Sequence, residues 1–405
     1  MLSPTEDAAP DLMMVSSQHL RSTVSTKWGK HGPDVIGAWI ADMDFAVAPA
    51  IAEAVHRYVT DGFFGYGLAA LRDDMVEAFA KWWRPYGLDA SPERVVLVSE
   101  LVQAMHACVA AFSEPGDGVL ILTPVYPPFF GAITEQRRRV VEYRMFPRSG
   151  AYRFDADELR SLVDAKRPRM ILLCHPHNPV GRVWTAEELT AIATIAEDFE
   201  MLVVSDEVHA DLVFAPHTFR SFESLRPGLG CRTITITSPS KSFNIAGLRC
   251  ALMHFGSNEL LATFRDRVRG DLLGVPSVPG MISSIAAWQH GRPWLDTCIA
   301  QLHRNRDAVG SELLHADTGI SGTTNEATYL QWLDFSALPG VKASLAANPG
   351  SSVSDLLRKE AGVGCNNGAD FGPGQEHFAR LNFATSPEIL SEICTRIVGF
   401  ASSNS

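Results

Sequence analysis

Ser238-Pro239-Ser240-Lys241-Ser242-Phe243-Asn244 follows the run Thr233-Ile234-Thr235-Ile236, and the reading of that junction decides the fold. A short run without charged residues reads as a strand buried on both faces, and here it ends in a polar loop that carries a lysine. The arrangement recurs upstream. Met201-Leu202-Val203-Val204 runs into Ser205-Asp206-Glu207-Val208-His209, and Met170-Ile171-Leu172-Leu173 leads to His177-Asn178-Pro179-Val180-Gly181. Arg94-Val95-Val96-Leu97-Val98 and Val119-Leu120-Ile121-Leu122 are further strand candidates, the second entered through the turn Pro115-Gly116-Asp117-Gly118. Helical patterns lie between them, from Leu101 to Phe112 and after the capping box Thr185-Ala186-Glu187-Glu188. This alternation predicts an α/β chain: a large unit with a mostly parallel sheet flanked by helices. Ligands in open α/β sheets sit at the carboxyl ends of the strands, so the chemistry belongs in those loops.

Beyond about residue 290 the pattern loosens into helices and short strands, such as Tyr329-Leu330-Gln331-Trp332-Leu333, which predicts a second, smaller α+β domain. The expected division is an N-terminal segment over 1–48 that joins the small domain, a large domain over 49–290, and a C-terminal small domain over 291–405. At 405 residues and 46% hydrophobic composition the chain can bury a large core. Acidic residues exceed basic ones to give a net charge of −11, which argues against nucleic acid as a partner. Arg137-Arg138-Arg139 is too short to reverse that and reads as a solvated stretch. The stretch from Met1 to Met14 lacks a basic region followed by an apolar one, so no signal peptide is expected there, and no run is long enough to span a membrane. Seven scattered cysteines (108, 174, 231, 250, 298, 365 and 394) without a C-x-x-C pair predict free, buried thiols in a reducing, cytoplasmic setting.

The phosphate loop G-x-x-x-x-G-K-[ST] and the nucleophile elbow G-x-S-x-G are absent. Gly65-Tyr66-Gly67-Leu68-Ala69-Ala70 approximates a dinucleotide fingerprint but has no apolar strand before it. His175-Pro176-His177 has poor spacing for a metal and no nearby carboxylate, so no metal is expected. The three loops fit another chemistry. A pyridoxal phosphate site needs an amine for the aldehyde and a carboxylate for the ring nitrogen. It also needs an amide for the phenolic oxygen, with hydroxyls, backbone N–H groups and an arginine for the phosphate. Lys241, Asp206, Asn178, Ser238, Ser240 and Arg249 supply those groups in order from successive loops.

With these residues placed, the chain resembles the fold-type I pyridoxal-phosphate enzymes of the aminotransferase-like superfamily, and most closely the MalY/PatB cystathionine β-lyase (C–S lyase) group. Trp39-Ile40-Ala41-Asp42-Met43-Asp44-Phe45 matches that group's W-[VI]-A-D-M-D-F signature. Phe64-Gly65-Tyr66, Pro124-Val125-Tyr126-Pro127-Pro128-Phe129, Asp206-Glu207-Val208-His209 and Lys241-Ser242-Phe243-Asn244-Ile245-Ala246-Gly247-Leu248 extend the likeness, which ends near Arg380-Leu381-Asn382. His209 stands where ordinary aminotransferases of the superfamily place Tyr, and it joins the implied cofactor-binding residues. The resemblance implies that Lys241 carries the cofactor and shuttles the Cα proton. Asp206 would pair with the pyridine nitrogen, Asn178 with the phenolic oxygen, and Tyr126 would stack on the ring. Ser238, Ser240 and the backbone at Glu100-Leu101 would hold the phosphate. Tyr66 would reach it from a neighbouring subunit, which implies a homodimer with shared active sites. Arg380 would clamp the substrate carboxylate, with Asp42 also facing the substrate.

The implied activity is α,β-elimination from a cysteine S-conjugate, giving thiol, pyruvate and ammonia; aminotransfer on the same cofactor is the alternative. Four departures bear on the substrate. Glu100 stands where the group usually has Gly, and His175 where relatives carry Asn. Arg249 matches a phosphate-binding Arg of aminotransferases that many β-lyases lack. Ala384-Thr385-Ser386 replaces C-P-R. Glu100 and His175 together suggest an unusual thioether, such as a thio-sugar conjugate of an antibiotic pathway, and the resemblance to related folds adds decarboxylation-linked chemistry as an alternative.

Overall fold

A computed structural model describes residues 12–148, 151–225, 232–314 and 317–405, so Met1 to Asp11 and Cys231 lie outside the described residues. The large sheet has seven strands: β1 (Val95–Val98), β2 (Gly118–Thr123), β3 (Arg139–Arg144), β4 (Met170–Cys174), β5 (Leu202–Asp206), β6 (Thr233–Thr237) and β7 (Ala251–Phe255). Their spatial order is β1-β7-β6-β5-β4-β2-β3, and β7 alone runs antiparallel to its neighbours. Successive residues of one strand serve opposite faces. Val119 and Ile121 join a core with Ala104, Met105 and Cys108 of helix α3 (Leu101–Phe112). Leu120 and Leu122 join the other, with Leu159 of α4 (Ala156–Lys166) and Ile192 of α5 (Ala186–Asp198). That two-sided burial explains why these strands lack polar alternation. The capping box at Thr185 is formed: Thr185 Oγ1 accepts from Glu188 N, and Glu188 Oε2 from Thr185 N.

Two strands of the large sheet have no counterpart in the sequence reading. β3 is the sheet edge and alternates polar with apolar residues, and β7 follows the Lys241 loop after a single 3₁₀ turn. The arginine run lies on the surface, with Arg137 and Arg139 exposed. Arg138 is half-buried and donates to Ser113 Oγ at 3.0 Å and to Gln136 O at 2.7 Å, while Arg139 begins β3.

The second unit is a four-stranded antiparallel sheet of β8 (Ser321–Gly322), β9 (Leu330–Asp334), β10 (Asn366–Asn367) and β11 (Phe378–Asn382), ordered β8-β9-β11-β10. Helices α6 (Arg292–Val309) and α7 (Pro387–Ser403) pack beside it, and Ser386 caps α7 at Ile389 N. Ile36-Gly37 of the N-terminal segment pairs in parallel with Val363-Gly364 in a separate two-stranded sheet. Trp39 to Phe45 then crosses to the large sheet as an irregular stretch whose backbone groups are met by side chains. Asn244 accepts from Met43 N and donates to Met43 O and Phe45 O, and Asn382 donates to Ile40 O and Asp42 O. Below it Asp44 is buried between Lys27 Nζ at 2.9 Å and Trp28 Nε1 at 2.8 Å. Non-repetitive backbone stays ordered in a protein interior only when its polar groups are satisfied in this way.

Candidate active site

The loops after β1, β2, β4, β5 and β6 meet the Trp39–Asp42 stretch and β10–β11 around a cavity of about 500 Å³. Its lining includes Asp42, Glu100, Leu101, Tyr126, Asn178, Asp206, His209, Ser238, Ser240, Lys241, Arg249 and Arg380. Residues far apart in the chain are thus brought together; of the site residues expected from the sequence, only Tyr66 lies elsewhere. It is 99% exposed and borders a second cavity with Leu68, Val275 and Met281. The Gly65–Ala70 stretch leads into a helix, Ala69–Trp83, and is preceded by another helix, Pro49–Asp61, not by a strand.

Lys241 is half-buried and donates from Nζ to Ala41 O at 3.0 Å. Burial lowers its pKa, opposed by the charge of Asp42, which makes the free amine more accessible. Its loop is anchored at Asp211, which accepts from Ser242 Oγ at 2.6 Å, Tyr86 Oη at 2.7 Å and Trp82 Nε1 at 2.9 Å. Asp206 ends β5 and is buried, with a bond from Val208 N at 3.2 Å to Oδ1. Desolvation pushes its carboxyl up to about 7 against the bond from Val208 N and the charge of Lys241, and among the described residues no cation forms an ion pair with it. His209 is buried with Nδ1 unpartnered, and burial drops its pKa to about 3, so the ring is neutral.

Asn178 follows β4 in a loop closed by Gly181, whose φ of +68° and 2.5 Å separation from Asn325 Cγ at a notional Cβ leave room for glycine alone. Asn178 Oδ1 accepts from Arg380 Nη1 at 2.9 Å, so its NH₂ is left for another acceptor. Arg380 lies on β11. Its Nη2 donates to Asn366 Oδ1 at 2.6 Å and Trp39 O at 3.2 Å, and its guanidinium stacks over Phe371 at 5.0 Å. Nε is buried without a partner, and desolvation lowers the pKa to about 10, so the group stays cationic at neutral pH. All three partners are neutral, which leaves a buried cation without an ion-pair partner among the described residues. Asn366 was not foreseen, and neither was Tyr329, whose hydroxyl shares Ala41 O with Lys241 at 2.9 Å. Neither stands in a recognisable motif; only folding brings them to the site.

Ser238 Oγ donates to Cys250 O at 2.7 Å and accepts from Ser240 N at 3.0 Å, which fixes the loop that ends in Arg249. Across from it, Glu100 stands at the N-cap of α3 with no side-chain capping bond, which leaves the N–H groups of Leu101 and Val102 available to an anion. Arg249 and Glu100 form an ion pair. His175, by contrast, lies outside the cavity lining: its ring packs on Phe219 at 4.6 Å and its Nε2 bonds Arg220 O at 3.0 Å. His177 bonds Pro124 O at 2.8 Å, so both rings serve the backbone.

These groups fit pyridoxal phosphate: a buried carboxylate for the ring nitrogen, an amide with free donors, a half-buried lysine, and an uncapped helix N-terminus with hydroxyls beside it. The comparisons agree. Residues 33–397 match the family Aminotransferase class I and II. Cystathionine beta-lyase PatB of Bacillus subtilis is 32% identical over 381 residues, covering 93% of this chain and 96% of PatB. Cystathionine beta-lyase of Corynebacterium glutamicum is 32% identical over 382 residues, covering 94% and 97%. Cystalysin from Treponema denticola, whose crystal structure contains pyridoxal 5'-phosphate, superposes with a TM-score of 0.88 at 29% identity, over 98% of this chain and 100% of that one. By sequence, fold and site, the chain belongs to the aminotransferase class I and II family, among its pyridoxal-phosphate-dependent carbon–sulfur β-lyases.

Proposed function

We propose that this lyase cleaves a cysteine S-conjugate of the cystathionine type, taking thioether and water to thiol, pyruvate and ammonia. The observation that carries the reading is Arg380, a buried guanidinium with neutral partners in the same cavity as Lys241 and Asp206. A buried cation without an anion is costly, and a substrate carboxylate removes that cost by a bidentate contact. The cofactor, when bound, supplies the electrophilic carbon for the substrate amine and a ring that stabilises negative charge at Cα. Asp206 would hold the ring nitrogen in its protonated form, and Asn178, whose carbonyl Arg380 holds, would offer its NH₂ to the phenolic oxygen. Lys241 Nζ would take the Cα proton, and Arg380 would hold the substrate carboxylate so that the Cα–H bond stays in one orientation. With the Cα electrons released, the β-thiolate leaves.

The working unit we propose is a homodimer in the cytoplasm. Phe63, Phe64, Tyr66, Leu68 and Val275 are exposed large side chains near the second cavity, and a second copy docking there would place Tyr66 near a partner's phosphate site. The six described cysteines are free and buried, as suits a reducing compartment. The test is pyruvate and thiol release from a panel of S-substituted cysteines, with bulky thio-sugar conjugates included and Lys241→Ala as control. Turnover that survives Lys241→Ala, or the absence of pyruvate with every thioether, overturns the reading.

A further inference from the structure

Glu100 occupies the position a phosphate needs. It is the N-cap residue of α3, its side chain makes no capping bond, and its carboxylate pairs with the Arg249 guanidinium across the cavity. Of the two attractions available to an anion here, the N–H groups at the start of α3 and the arginine, the arginine is therefore already paired with a carboxylate of the chain itself. The pair is loosely held. Its side chains are 60% and 45% exposed, and pairs so exposed contribute little to stability. Arg249 sits at φ +54°, anchored by the loop that Ser238 fastens to Cys250, so the guanidinium is delivered by a fixed backbone and Glu100 is the partner that can give way.

We propose that Glu100 competes with the cofactor's phosphate for Arg249. Loading then exchanges the Glu100–Arg249 ion pair for a phosphate–Arg249 pair, and Glu100 is left as a like charge beside the phosphate. The inference rests on the phosphate lying at the N-terminus of α3. Its consequence is a cofactor held more loosely than its phosphate ligands alone would hold it, and a phosphate whose second ionisation, ordinarily near pH 6, is moved upward.

The experiment titrates the apoprotein with pyridoxal phosphate, followed by the cofactor's visible absorbance, in wild type, Glu100→Gln and Arg249→Gln. Glu100→Gln is expected to tighten binding about tenfold, equivalent to about 1.4 kcal/mol. The ³¹P resonance of the bound cofactor is expected to titrate at lower pH in that variant than in wild type. Arg249→Gln is expected to weaken binding. If Arg249→Gln weakens binding while Glu100→Gln leaves it unchanged or weaker, the phosphate is where we place it and the competition is refuted. If Arg249→Gln has no effect, the placement of the phosphate is refuted, and the competition with it.

Discussion

Replacing Arg380 with lysine keeps a cation but removes the planar fork. In the native site Nη1 is committed to Asn178 and Nη2 to Asn366 and Trp39 O, with bonds between 2.6 and 3.2 Å, and Nε has no protein partner. A lysine ammonium has three donors on a flexible stem and cannot serve both asparagines and a carboxylate in the same geometry. The loss is one charge-assisted hydrogen bond to the substrate, about 1.5–3 kcal/mol, which lowers kcat/KM by about 10- to 150-fold. Arg380→Gln also removes the charge and should cost about 3–5 kcal/mol, or more than 100-fold. The assay is steady-state pyruvate release from a cysteine thioether and from its α-carboxamide, which lacks the carboxylate charge. Arg380→Lys should lower kcat/KM for the acid by the stated factor and for the amide by less than about threefold. Equal losses on both substrates would refute the carboxylate clamp, because they would show that lysine damages the site as a whole.

Further outcomes follow from other parts of the structure. Asp206 titrates near 7 in the folded apoprotein against about 3.9 unfolded, so the native state binds the extra proton and apoprotein stability falls as pH rises from about 4 to 7. Urea unfolding of the apoprotein across that range should show the slope, and Asp206→Asn should reduce it; Glu207, pushed up to about 8 by burial, maintains the remainder. Lys27→Met leaves the Asp44 carboxylate buried without its ammonium and should destabilise the protein by about 3–5 kcal/mol in the same assay. Asn244→Ala strips the partners from Met43 N, Met43 O and Phe45 O, at about 1–3 kcal/mol. It should also raise KM, since Trp39 O and Ala41 O hold Arg380 and Lys241.

The parallel sheet and the loops that carry the cofactor ligands could be read from the chain because each is local: an apolar run, then a polar loop, with one chemical group in each. What escaped reading is non-local. Asn366 stands on a two-residue strand, and its role arises only when β10 is laid opposite Arg380. Tyr329 looks like the start of a core strand until its hydroxyl is found on Ala41 O. The strand β7 has ordinary strand composition but follows the Lys241 loop so closely that nothing separates the two in sequence. Asn244 shows the reverse case. Its motif was legible beside Lys241, but the structure gives it a separate task, replacing the strand partner that Met43 lacks. Glu100 was visible as a departure near the phosphate loop, and only the fold shows that Arg249 answers it.

Mixing the holoenzyme with L-cystathionine, and measuring pyruvate, free thiol and pyridoxamine phosphate in the same reaction, tests the central claim most directly. Elimination predicts pyruvate and thiol in equal amounts, with the cofactor returned in its aldehyde-derived form after each turnover. Accumulation of pyridoxamine phosphate without thiol release would contradict the lyase account and assign the site to aminotransfer.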